Sequence, residues 1–113
     1  MTAPAEAARG RTRADELLAL LDDEPAAREF LEAVTGLRDL AFLGAGLTAV
    51  ARTEGRALPP AQRAQAATRQ GHLATLRDQV RTDPAGLRVW LVRAAQEIGQ
   101  LRALRAAADR LTP

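Results

Sequence analysis

Residues 84–111 read PAGLRVWLVRAAQEIGQLRALRAAADRL. Leu87, Leu91, Ala94, Ile98 and Leu101 recur there in steps of four and three. That spacing keeps one stripe of a helix apolar and resembles a coiled-coil seam. Trp90 lies beside the stripe. The segment opens on Thr82-Asp83-Pro84, a capping residue followed by proline at the first helical position, where its missing N–H removes no bond. Arg105 interrupts the seam, so it is not a long zipper. Val89, Val92, Ala103 and Ala107 form a second apolar strip on the opposite side. A helix with two apolar faces has two sets of neighbours.

Those neighbours are read from the rest of the chain. Before residue 84, Pro60 opens a helix over 60–81. Its first half offers only Ala as apolar content, and its second half carries Leu73, Leu76 and Val80. Gly71 sits at the junction. Glu54 to Pro60, with Gly55 and Leu58-Pro59-Pro60, reads as a linker. Upstream, the stretch LAFLGAGLTAVA over 40–51 is apolar on every side, which predicts a central helix, 37–53, buried all round. Gly44 and Gly46 leave room there for another helix. Thr35-Gly36 predicts a break, preceded by a helix over 25–35 with Ala27, Phe30, Leu31 and Val34 on one face. Asp23 or Glu24 caps it, and Pro25 lies in its first turn. A first helix over 12–22 starts at a Thr12/Asp15 capping pair and shows Ala14, Leu17, Leu18 and Leu21 on one face. Residues 1–11 lack periodicity and read as a disordered arm.

Composition agrees. The 113 residues make one domain, 12–113, after the arm. They include 26 Ala and 17 Leu but only five Val, one Ile and three aromatic residues, Phe30, Phe42 and Trp90. Ala and Leu favour helices, and residues suited to strands are scarce. The expected architecture is all-α, an antiparallel bundle of four to five helices. An Ala/Leu core returns little per residue against a backbone entropy cost of roughly 1–2 kcal/mol per residue. Shared apolar faces between two copies would remedy this, so a two-fold homodimer is expected. Its interface is placed on Leu87, Trp90, Leu91, Ile98 and Leu101, or on the 37–53 helix.

Chemistry is limited by what the chain lacks. It contains no Cys, Ser, Tyr, Asn or Lys, and all 16 basic residues are Arg. Thiolate, disulfide and the commonest nucleophilic chemistries are excluded. Asp22, Asp23 and Glu24 straddle a helix boundary, where acids favour the positive helix end. A di-metal bundle site wants paired Glu-x-x-His motifs, and the one His, His72, has none. No metal or cofactor is expected. Gly44-Ala-Gly46 lacks the strand–turn–helix setting of a phosphate loop and reads as close helix packing.

Charge is segregated. Residues 15–39 carry eight acids against Arg28 and Arg38, a net of −6, and residues 40–113 carry eleven Arg against five acids, a net of +6. The near-cancellation suggests that acidic and basic helices meet within the fold or across a dimer. The alternative is nucleic acid. Arg63, Gln70, Arg77 and Arg81 fall on one side of the 60–81 helix at 100° per residue, and arginines can grip phosphates bidentately. Aromatic residues for base stacking are not interleaved there. In a helix-turn-helix reading Arg77 would occupy a core position, which counts against it.

Met1 to Ala14 has arginines but no apolar core, so no signal peptide is read. The longest apolar run is too short to span a bilayer. A cytoplasmic protein without membrane contact is expected. The functional expectation is a non-enzymatic interaction, adaptor or scaffold module acting as a homodimer with an unknown protein partner. An accessory nucleic-acid-binding protein is the runner-up. An enzyme working through Asp/Glu and Arg alone comes third.

Overall fold

The computed structural model describes residues 13–111, and its secondary structure there is entirely helical. Residues 13–18 form α1, ending in turns over 19–22. Then follow α2 (Glu24–Ala33), α3 (Leu37–Arg56), α4 (Pro60–Gln79) and α5 (Pro84–Leu111). The arm read over 1–11, and the Thr12 half of the first capping pair, lie outside the described residues. None of the helices described is long and apolar enough to cross a membrane.

The helix ends follow local chemistry. Asp23 accepts from Ala26 N at 3.2 Å and caps α2, with Pro25 in the first turn. Gly36 opens α3, and α2 stops at Ala33, so Thr35-Gly36 is a true break. Pro84 opens α5, and Leu87 N donates to Asp83 O at 2.8 Å. At Gly86 a Cβ would stand 2.8 Å from Val80 Cγ1 and from Asp83 Oδ2, so the tight entry from α4 into α5 requires glycine.

Some predicted features shift. The central helix is not buried all round: Ala41 and Ala45 are exposed, while Leu40, Leu43 and Leu47 face the core. The linker shrinks to residues 57–59, because α3 continues through Glu54 and Gly55 to Arg56. Glu54 is buried in the helix, held by arginines of α5. Gly71 marks no junction, since α4 runs unbroken through it. Thr75 Oγ1 donates to the Gly71 carbonyl at 3.1 Å.

Helix directions follow from who meets whom. Gly44 of α3 lies against Trp90 and Leu91, and Glu54 of α3 meets Arg102 and Arg105. Residue numbers rise together, so α3 and α5 are parallel. Between α4 and α5, Leu73 pairs with Trp90 and Arg69 with Glu97, so α4 is antiparallel to both. Arg88 meets Leu31 and Val34 at the end of α2, and Glu24 and Gln96 share one groove. Thus α2 opposes α5, and successive helices from α2 onward alternate in direction.

The widest contact joins the parallel pair, α3 and α5. Leu40, Leu43, Leu47 and Ala51 of α3 pack with Leu87, Leu91, Ala94, Ala95, Ile98 and Leu101 of α5. Leu17 and Leu18 of α1, Leu31, Val34 and Leu58 close the same core. By contrast α4 buries only Ala66 fully, matching its Ala-rich first half. The long dimension, 46 Å of 46 × 29 × 27 Å, is set by α5, whose 28 residues span about 42 Å at 1.5 Å each.

Leu91 is fully buried where α5 meets Gly44. We expect Leu91→Ala to lower the urea-unfolding free energy by ~2–5 kcal/mol. Exposed Gln100→Ala on the same helix should stay within about 0.5 kcal/mol.

Candidate functional site

Of the polar face expected on the fourth predicted segment, Gln70 and Arg77 turn toward α3, while Arg63 and Arg81 stay exposed. Gln70 Nε2 donates to the Ala51 carbonyl at 2.9 Å. Arg77 donates to Thr48 Oγ1 at 3.0 Å, and its guanidinium carbon stands 5.6 Å from the centre of the Trp90 ring. Arg63 Nε donates to Leu58 O at 3.3 Å, fastening the linker. Arg81 alone of the four remains exposed without such a contact. A helix with few large apolar groups has little hydrophobic surface with which to dock, so hydrogen bonds and a cation–π contact do that work. Arg77 sits where a core residue would sit, and Trp90 and Thr48 make that position tolerable.

The expected dimer seam is likewise internal. Leu87, Trp90, Leu91, Ile98 and Leu101 are each at most 5% exposed within the single chain. Their partner is α3, running parallel beside them, and no second copy reaches them without opening the core. Trp90 Nε1 donates to the Leu73 carbonyl at 2.7 Å, satisfying the indole N–H on burial. Leu40, Leu43 and Leu47 of the 37–53 segment are buried in the same core.

Reactive groups do not gather. Among the described residues no three His, Asp or Glu side chains converge. His72 is exposed on α4. Buried Glu54 receives Arg102 Nε at 3.3 Å on Oε1 and Arg105 NH1 at 2.9 Å on Oε2. Arg105, the residue that breaks the α5 seam, is therefore a partner of Glu54. The space between α3, α4 and α5 beside Trp90 is about 30 Å³, against the ~300 Å³ of the smallest common ligand sites. It is a packing void.

Among the described residues, an open groove lies between α2 and α5. The groove, of about 520 Å³, has Ala27, Leu31, Val89 and Val92 as its apolar surface. Val89 is 70% exposed; it belongs to the second strip read from the sequence, not to the seam. One wall is α2, with Glu24, Arg28 and Glu32; the other is α5, with Arg88, Arg93 and Gln96. Arg88 sets the spacing of the walls. Its Nε donates to Leu31 O at 3.1 Å, a carbonyl that also accepts from Val34 N, and its NH2 donates to Val34 O at 2.8 Å, just past the end of α2. Glu24 and Arg28 form an exposed i,i+4 pair at 2.8 Å, worth about 0.3–0.5 kcal/mol. A smaller pocket of about 100 Å³, lined by Leu17, Leu21 and Ala95 with four residues of the groove, continues it toward α1.

No protein-family model, curated protein or solved structure matches the chain.

Arg88→Ala should cost ~1–2 kcal/mol through the Val34 carbonyl left without its partner and the lost second bond to Leu31 O, and amide exchange should rise in α2 ahead of α3 and α5. Arg88→Lys should not restore α2 protection, because a single ammonium lacks the planar fork that spans both carbonyls.

Proposed function

We propose that the chain is a non-enzymatic protein–protein interaction module, an adaptor or scaffold, acting as a helical homodimer. The observation that carries this reading is the apolar groove between α2 and α5, with Val89 uncovered at its surface. An apolar groove with charged residues at its rim has the build of a surface on which another macromolecule can sit. The disposition of polar groups supports the same reading. Arg63, Gln70, Arg77, Arg88, Arg102 and Arg105 are all engaged in holding helices and linker together. Side chains so occupied have little freedom to serve a reaction.

The same engagement weakens the nucleic-acid alternative. A backbone-tracking face needs arginines free to meet successive phosphates, and three of the four candidate residues point at α3 or the linker. Light scattering after gel filtration at micromolar concentration should give twice the chain mass; a monomer there would remove the homodimer. Mobility-shift assays at low salt should show no retarded DNA or RNA. A shift that weakens steeply with salt would restore the nucleic-acid reading.

A further inference from the structure

We propose that the α2/α5 groove is covered by the same groove of a second copy, related by a two-fold axis running along the groove, so that each α2 lies over the other copy's α5. This locates the interface of the homodimer proposed above and rests on that reading.

Charge selects the occupant. The ion pairs Arg28–Glu24, Arg69–Glu97, Arg102–Glu54 and Arg105–Glu54 each stay within one of the two sequence regions. None of them joins the acidic stretch 15–39 to the basic stretch 40–113. Arg88 of α5 does reach α2, but through backbone carbonyls. The −6 and +6 of the two regions are therefore not matched by these pairs within a chain. The groove brings the two regions to opposite walls. Exposed Glu32 stands on the α2 side and exposed Arg93 on the α5 side. A covering surface must be basic over α2, acidic over α5 and apolar between. This chain presents such a surface itself, with the two signs in the reverse order.

Symmetry then fixes the arrangement. In a two-fold dimer the axis lies in the interface. An axis across the groove would set α2 on α2, acid on acid, and α5 on α5, Arg on Arg. An axis along the groove sets unlike walls together and brings Val89 and Val92 of both copies to the centre. Apolar anchors at the centre with charges at the rim is the ordinary build of a protein interface.

The test uses the full chain. Dissociation constants are measured by sedimentation equilibrium for the wild type, Val89→Asp, Glu32→Arg, Arg93→Glu and the double variant Glu32→Arg/Arg93→Glu. Thermal melts at low concentration confirm folding, and all three positions are exposed. Val89→Asp, changed in both copies, should weaken the dimer about a hundredfold, roughly tenfold per site. Each single reversal should weaken it about tenfold, and the double variant should recover most of the loss. The wild-type dimer should also weaken with added salt, because the rim charges are screened. A dimer that Val89→Asp and both reversals leave intact would overturn the groove interface while the homodimer stands. Failure of the double variant to recover would overturn the placing of α2 over α5. A monomeric wild type overturns both proposals. If such a monomer also binds an apolar fluorescent dye that Val89→Asp abolishes, the groove belongs to another protein's helix or a small apolar molecule.

Discussion

The bundle depends on how closely α3 and α5 approach at Gly44. A Cβ at that position would lie 3.3 Å from a ring carbon of Trp90 and 3.8 Å from Leu91. Without it, two parallel helices come near enough to bury a seam of Leu, Ile and Ala on each other. Small residues at the crossing and large ones flanking it compensate for a composition that has few large side chains. Every other helix is placed by this pair. α1 and α2 close one side of it, and α4 crosses back between its ends to lie against Trp90. Parallel helices need a return element, and α4 supplies it, with linkers short enough to hold direction tightly.

Because α4 offers little apolar area, its attachment is chemical. Gln70 and Arg77 reach α3, Arg63 reaches the linker, and Arg69 stands 3.3 Å from Glu97. Thr48 relays one of these contacts, donating to Gly44 O at 2.9 Å while accepting from Arg77. The polar network thus ends at the carbonyl of the residue where α3 and α5 touch. Arg replaces hydrophobic packing in this fold, since its stem covers apolar surface while its guanidinium finds carbonyls, a hydroxyl and an indole face. Without Lys, Ser, Asn or Tyr, Arg, Gln and Thr carry most of the side-chain hydrogen bonding between helices.

This is why the fold was readable and the site was not. Helical pitch, Asp83-Pro84, Asp23 with Pro25, and Gly36 are local signals, and they gave helices whose bounds lie within a few residues of those observed. Gly44, small within an apolar run, marks the place of close approach. The side on which each face would lie was harder. On α5 the sequence shows two apolar strips, and the parallel course of α3 puts Leu91 and Ile98 inside while Val89 stays out. On α4 the Arg stripe had helical spacing, but spacing cannot distinguish a stripe facing solvent from one facing a neighbour. Glu54 looked like linker because Gly55 and Pro59 follow it; its two arginines lie about fifty residues away in sequence. Arg88 gave no signal, because its partners are backbone carbonyls, which no side-chain pattern records.

Acidic α2 lies beside basic α5 in one chain, yet between their side chains the contact is a groove with an apolar surface, not a row of ion pairs. Beside the core contact of Leu31, α5 grips α2 through the guanidinium nitrogens of Arg88, and they bind carbonyls. That arrangement keeps α2 at a fixed distance, so the walls cannot collapse and pair their charges internally. Electrostatic complementarity that a chain cannot use on itself acts mainly on register and on the rate of encounter with whatever arrives. The groove is therefore built to stay open in the single chain, and Arg88 is the side chain that holds its walls apart as well as together.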